Sequence, residues 1–473
     1  MCRFPGRRFF EWALVLPLAA PAYILAYVYS DFLQHAGPVQ TGWRELMGLG
    51  PREGWFPNIH SLPGAILLFV LTLYPYVYLL ARAAFLEQSV SVFEAARSLG
   101  CSAGSAFRRV ALPLARPAIV GGVALALMET LADFGAVSYL GVHTFTTGIY
   151  RALYSYADPV AAAQLATGLL GFVAVLIALE RISRGRQIYQ VRGVYAALPG
   201  YPLKGARALL AVLACALPIV FGFLLPGYLM LSMAIKARNL FEARSLELIW
   251  NSVSLAGIAA VSAVLLAALL GYGNRLEKTP LVRGAVRLAS MGYAVPGSVI
   301  AIGLLIALGG FDNTLDSWMR AQFGVSTGLI FTGTIAALVY AYLVRFMAVA
   351  LQTVEAGLAK VTPSMDDAAR TLGRGPWNII RSIHMPIISP SLLTAGLIVF
   401  VDVMKELPAT MILRPFDHDT LAVRAYNLAS DERLLQSGGP SLLIVLVGLL
   451  PIILISRRIA QSRPGMRGAG PSA

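Results

Sequence analysis

Five charged side chains stand inside stretches that are otherwise apolar: Glu129, Asp133, Asp402, Lys405 and Glu406. A displacement of 273 residues brings Glu129 onto Asp402 and Asp133 onto Glu406, so the chain carries one pair of acids twice. Acids four apart fall on one face of a helix. Carboxylate oxygens are hard donors, and two such pairs related by a pseudo-two-fold would line a path for a hard cation. The same groups also read as pairs that hold helices together and set their register. Lys405, three residues from Asp402, could neutralise one acid. A charge near a bilayer centre costs roughly 2.5–3.5 kcal/mol, so four uncompensated acids would cost on the order of 10 kcal/mol. They must face a wet cavity or partners.

Other reactive residues make weaker patterns. Asp417-His418-Asp419 resembles a metal-binding tripeptide in isolation, but it has no matched partner in the other half and reads as a solvated loop. His35, His60, His143 and His384 are scattered. Cys2, Cys101 and Cys215 have no framework spacing. No Ser/His/Asp or Cys/His arrangement supports catalysis. The phosphate-binding pattern G-x4-G-K-[ST] does not occur.

The elements that must position the acids follow from composition. Of 473 residues, 57% are hydrophobic and only 13% charged, about half the charged fraction of a soluble domain, near 25%. That excludes a set of soluble domains and a disordered chain. Runs of about 20 apolar residues cross a bilayer as helices. Ten are expected, over 10–30, 62–80, 117–140, 160–180, 208–231, 251–273, 288–309, 328–346, 390–413 and 439–456. The first follows Arg3, Arg7 and Arg8 in the manner of a signal peptide, but its length and its internal Pro17 and Pro21 favour a retained helix. Trp43, Trp55, Tyr150 and Tyr154 lie near span ends, where aromatic rings anchor at the lipid interface. The fold class is an all-α integral membrane protein.

Charge sets the orientation. Lys and Arg number 38 against 24 Asp and Glu, a formal net charge of +14. With ten spans, 27 basic residues fall in the segments on the side of the termini and ten on the other, with Lys405 inside a span. Basic residues favour the cytoplasm, which places both termini there. The excess positive charge is thereby explained by topology, and nucleic acid is not needed as a partner.

The chain also repeats itself. Glu94-Ala95-Ala96-Arg97-Ser98-Leu99-Gly100 recurs as Asp367-Ala368-Ala369-Arg370-Thr371-Leu372-Gly373, again displaced by 273. The match runs without gaps through Pro113 and Pro386, then Pro117 and Pro390. Six spans separate the copies, so both halves share one orientation, a parallel repeat. In each copy an acid near a helix start suits the helix dipole, Ala-Ala favours helix, and Gly permits the turn that ends it. Each copy predicts a short helix on the cytoplasmic face with small residues exposed, suited to a groove on a partner.

This spacing, with Val110, Leu112 and Pro113 after the first copy and Ile383, Met385 and Pro386 after the second, resembles the signature loop of binding-protein-dependent ABC importer permeases. The segments Glu129–Ala136, Lys405–Thr410, Leu413–Phe416 and Thr420–Ala422 are similar to those of fused, two-module ferric-iron permeases; thiamine and aminoethylphosphonate permeases are close relatives. The resemblance implies that Glu94, Ala95, Ala96, Gly100, Asp367, Ala368, Ala369 and Gly373 form coupling loops. These would seat in two copies of a separate ATPase subunit, which uses the ATP. It also implies a periplasmic substrate-binding protein, a bacterial inner-membrane location, no cofactor in this chain and no enzymatic activity of its own. Fe3+ suits the carboxylate-lined path. An ion-coupled secondary transporter is the rival from another class, but a self-sufficient carrier needs no duplicated docking loop.

The halves are unequal. Pro21 aligns with Pro296 at a displacement of 275, so the first span matches the seventh. The first module, 1–200, then has four spans and the second, 201–473, has six. Two missing N-terminal helices, lost to a late start, are the expectation; a true four-plus-six protein is the other reading.

Overall fold

The computed structural model describes residues 2–50, 53–88, 90–184, 201–238, 243–277 and 279–461. Arg52, Arg186, Arg192, Lys278, Arg463 and Arg467, all counted in the charge asymmetry, lie outside the described residues. Helices dominate; the described strands are Cys2–Arg3 and Tyr201–Pro202, paired in parallel. Eight described helices are long and apolar enough to cross a membrane: Leu62–Leu86, Gly104–Ala132, Pro159–Ser183, Ala206–Ala237, Ser245–Leu276, Gly297–Phe323, Ile335–Leu358 and Trp377–Met404. Their exposed Leu, Ile, Val and Phe side chains suit lipid, where a helix satisfies its own backbone. The tenth expected run lies in the helix Leu434–Gln461.

The first expected span is not one straight helix. Arg7–Ala19 and Ala22–Met47 meet at a bend of 89°. Proline explains the break, because Pro17 and Pro21 have no N–H to give a preceding carbonyl. Leu16–Ala19 tightens into a 3-10 turn, and Pro21 is extended before the helix Ala22–Leu33. The second half repeats this device: a 3-10 turn at Gly292–Ala294, extended Val295 and Pro296, then the helix Gly297–Phe323. The matched prolines therefore mark a break in both halves, and the span expected at 288–309 begins only at Gly297.

The eighth span also moves, from the expected 328–346 to Ile335–Leu358. Gly324, Gly328 and Gly333 take positive φ values of 68°, 62° and 81° and keep the segment before it out of helix. This span is the most enclosed of the eight, with 56% of its apolar window buried against 11% for Ala206–Ala237.

The chain forms two compact units, Met1–Thr147 with Thr167–Met233, and Gly148–Ala166 with Ala234–Ala473. They differ from the sequence modules 1–200 and 201–473, which describe the repeat and not the packing. In the first unit a Cβ on Gly222 would lie 2.7 Å from the Leu71 carbonyl oxygen, and the Tyr29 hydroxyl donates to the Phe221 carbonyl. These close approaches hold the 206–237 span against residues far earlier in the chain.

Candidate functional site

Both copies of the repeated motif form helices with the same ending. Val90–Ser98 and Pro363–Thr371 carry them. In the first, Leu99 N–H donates to Ala95 O at 3.1 Å, Gly100 N–H to Arg97 O at 3.0 Å and Cys101 N–H to Ala96 O at 3.1 Å. In the second, Leu372 donates to Ala368 at 3.2 Å, Gly373 to Arg370 at 2.9 Å and Arg374 to Ala369 at 3.1 Å. Gly100 has φ +85° and Gly373 φ +73°, left-handed conformations that favour Gly at a helix end. Ala96 and Ala369 point inward, while Glu94, Ala95, Asp367 and Ala368 are exposed. Leu99 and Leu372 are 85% and 79% exposed. Each motif helix thus offers a small-residue face with one protruding leucine.

The intramembrane acids do not share one helical face as their spacing predicted. One helix ends at Ala132 and the other at Met404, so Asp133 and Glu406 stand in turns just beyond. There each caps the short helix that follows. Asp133 Oδ1 accepts from the N–H groups of Ala136 and Val137 at 3.0 and 3.1 Å, at the start of Gly135–Tyr139. Glu406 accepts from the N–H groups of Ala409 and Thr410, both at 3.1 Å, at the start of Pro408–Leu413. A carboxylate satisfies backbone donors that otherwise have no partner at a helix start. Glu129 remains on the last turn of its helix, half-buried. Asp402 pairs with Lys405 Nζ at 2.9 Å, the neutralisation its spacing allows.

The second turn is enclosed. Glu406 is 5% exposed and Arg345 8%, and Arg345 Nη1 lies 3.5 Å from Glu406 Oε1. Thr410 Oγ1 is 2.9 Å from Glu406 Oε2 and 2.6 Å from the Tyr342 hydroxyl. Gly297 leaves room for the pair: a Cβ there would lie 2.3 Å from Arg345 Nη1 and 2.5 Å from Glu406 Oε1. Tyr150 donates to the Pro408 carbonyl, and Tyr154 donates to that of Met411 at 2.8 Å. Tyr150 is therefore a buried brace instead of the interfacial anchor its position suggested. Burial, with the Glu406 charge nearby, pushes its hydroxyl well above the ordinary tyrosine range, so it stays a neutral donor.

The first turn has less around its acid. Thr146 Oγ1 donates to the Asp133 backbone carbonyl at 2.6 Å, and Tyr139 packs on Tyr27 with ring centroids 4.8 Å apart. The place matching Arg345 is Thr72, whose hydroxyl donates to its own helix at Leu68. Asp133 forms no ion pair among the described residues.

The expected span ends at 346, beside Arg345, whereas the helix Ile335–Leu358 carries Arg345 well inside. Asp312 and Asp316 also fall within a span, Gly297–Phe323. Asp312, fully buried, accepts from the N–H and hydroxyl of Thr332 at 2.8 and 2.6 Å, tying its helix to the following loop. In the 417–419 tripeptide Asp417 is exposed, but Asp419 pairs with Arg414 at 2.7 Å, so that loop is anchored as well as wet. No group of three His, Cys, Asp or Glu gathers as metal ligands among the described residues.

Apolar spans in two repeats, each with an exposed motif helix and a capped turn, define a multi-pass membrane permease. The chain belongs to the family of binding-protein-dependent transport system inner membrane components, whose model matches residues 3–185 and 263–467. It is 26% identical over 466 residues to the Fe(3+)-transport system permease protein FbpB 2 of Haemophilus influenzae, with 96% of this chain and 83% of that protein covered. It is 24% identical over 493 residues to the probable ABC transporter permease protein y4fN of Sinorhizobium fredii, covering 98% and 83%. Among solved structures, a bacterial ABC transporter involved in the import of the acidic polysaccharide alginate superposes with a TM-score of 0.42 at 15% identity, over 54% of this chain and 96% of that one.

Proposed function

We propose that this chain is the permease subunit of an ATP-driven importer that moves ferric iron, delivered by a periplasmic binding protein, across a bacterial inner membrane. The observation that carries the reading is the pair of motif helices, alike in hydrogen bonding and in exposed residues. Two like surfaces suit two copies of one partner, here an ATPase subunit that hydrolyses ATP on the cytoplasmic side. The excess of basic residues in segments on the side of the termini supports a cytoplasmic side for both termini. Relatives named for Fe(3+) and ferric transport support the substrate. Of the acids, Asp133 lines the path in this reading, with Glu129 one turn before it; Thr72 stands at the place that matches Arg345. Asp402, Lys405 and Glu406 form its counterpart in the other half.

The test is reconstitution in lipid vesicles with the ATPase subunit and the binding protein. ATP-dependent uptake of radiolabelled ferric iron is expected. Uptake of molybdate, thiamine or aminoethylphosphonate in its place would overturn the substrate, and uptake without any ATPase subunit would return the ion-coupled carrier. Neutralising Asp133 and Glu406 together is expected to abolish uptake while the complex still assembles.

A further inference from the structure

The two motif helices share a surface but, among the described residues, differ in attachment. Asp366 lies in the first turn of Pro363–Thr371, where negative charge meets the positive end of the helix dipole. Its Oδ2 accepts from Arg275 Nη2 at 2.7 Å, and its Oδ1 is 2.5 Å from His384 Nε2. The other ring nitrogen of His384 meets the Tyr272 hydroxyl. Arg275 also gives Nη1 to the carbonyls of Leu358 and Val361, at 3.3 and 2.8 Å, and Asn274 beside it donates to Glu355 at 3.2 Å. One carboxylate therefore joins the helix Ala243–Leu276, the end of Ile335–Leu358, the motif helix and the helical segment Ile380–His384 that runs into Met385–Met404. The side chains are largely enclosed, at 20% exposure for Arg275, 18% for Asp366 and 6% for His384. Charge-assisted hydrogen bonds of this kind are roughly twice as strong as neutral ones.

The first copy has Phe93 and Ala111 at the matched places, and neither side chain can hydrogen-bond. Near its motif helix, Arg97 reaches the Tyr201 hydroxyl at 3.1 Å, an exposed contact, and Gln88 donates to the Ala111 carbonyl at 2.8 Å. An exposed contact of the first kind contributes little.

We propose that Asp366 is a positioning residue that makes the second motif helix the stiff one, so that movement of its ATPase subunit passes directly into the helices Ala243–Leu276 and Ile335–Leu358. The first helix rides on its ATPase subunit with more play. This rests on the reading that both helices seat on ATPase subunits, and it adds a division of labour between them.

The experiment measures ferric uptake per ATP hydrolysed in vesicles holding the full complex, for wild type and for Asp366→Ala, His384→Ala and Asp366→Glu. In the two alanine variants the ATPase subunit is expected to co-purify and to hydrolyse ATP. Uptake per ATP is expected to fall about tenfold, within the usual range of coupling between sites. Asp366→Glu, which keeps the charge, restores most of it, and Tyr201→Phe in the first half changes it less than about twofold. Assembled alanine variants with wild-type uptake per ATP would overturn the proposal, as would an equal loss in Tyr201→Phe. Hydrogen exchange on the wild-type protein gives a second reading that needs no variant: amides of Pro363–Thr371 are expected to exchange more slowly than those of Val90–Ser98, and equal rates would overturn it. Wild-type protein that binds no ATPase subunit would instead overturn the seating itself, and the proposal with it.

Discussion

Asp133 and Glu406 occupy matched places in the two halves, end matched helices and cap matched short helices, yet their surroundings differ. Glu406 is buried against Arg345, beside Thr410 and Tyr342, and Tyr150 and Tyr154 hold the short helix after it. Asp133 has two backbone donors and a threonine on its carbonyl. Duplication has kept the backbone device and let the partners diverge. A carboxylate whose charge is balanced by a buried arginine has little left to offer a passing cation. One balanced only by amide dipoles can still attract it. The same contrast recurs at the motif helices, where the second copy has Asp366 and its ionic partners and the first has Phe93 and Ala111. In both places an ion pair braces the second half, at Glu406 with Arg345 and at Asp366 with Arg275.

The strongest way to break this comparison is to remove the arginine. Arg345→Ala leaves Glu406 buried without its partner, a change that costs about 3–5 kcal/mol in comparable sites. The midpoint of thermal unfolding of the purified protein should fall steeply. Thr72→Ala, at the matched place, loses one hydroxyl bond to its own helix and about 1 kcal/mol. Equal losses would mean that the two turns are not energetically different. Removing both charges, as Arg345→Met with Glu406→Gln, sharpens the point: it should recover most of the stability, since apolar replacement of a buried pair is often nearly neutral.

A smaller effect is expected at the first turn. Asp133→Ala removes a cap, worth about 0.5–2 kcal/mol, and should shift unfolding less than Glu406→Ala, read by the same melting experiment. The smallest difference between the halves is expected at the glycines that end the motif helices. Gly100→Ala and Gly373→Ala each force alanine into a left-handed conformation at about 1–2 kcal/mol. The two losses should match closely, because the hydrogen bonds there match; a large disparity would show that the motif helices already differ at their caps.

Much of this was legible from residue order, and the reasons for the remainder are physical. Apolar runs marked the spans, and the 273-residue displacement placed both motif helices and both acids. The helix breaks before Asp133 and Glu406 were hidden because a spacing of four reads as one helical face; only Pro408, at the start of the second short helix, hinted at a stop. Arg345 falls with the loop charges in the sequence because an apolar window ends where a charge begins, while a helix continues wherever its charge finds a partner. That partner, Glu406, is 61 residues away, and local pattern carries no trace of it. The kink at Pro21 shows in the sequence only as a proline inside an apolar run, a pattern that a continuous helix also carries. The bracing of the second short helix by Tyr150 could not be read at all, since it joins residues 258 apart.

The most direct test of the central claim is ATP-dependent ferric uptake by vesicles holding the assembled complex, with Asp133→Asn against wild type. The variant keeps an oxygen to cap the short helix and loses only the charge. The account predicts uptake at least about tenfold lower, equivalent to some 1.4 kcal/mol of lost stabilisation along the path, with an unchanged unfolding midpoint and ATPase subunits still bound. Normal uptake by the assembled variant would contradict it.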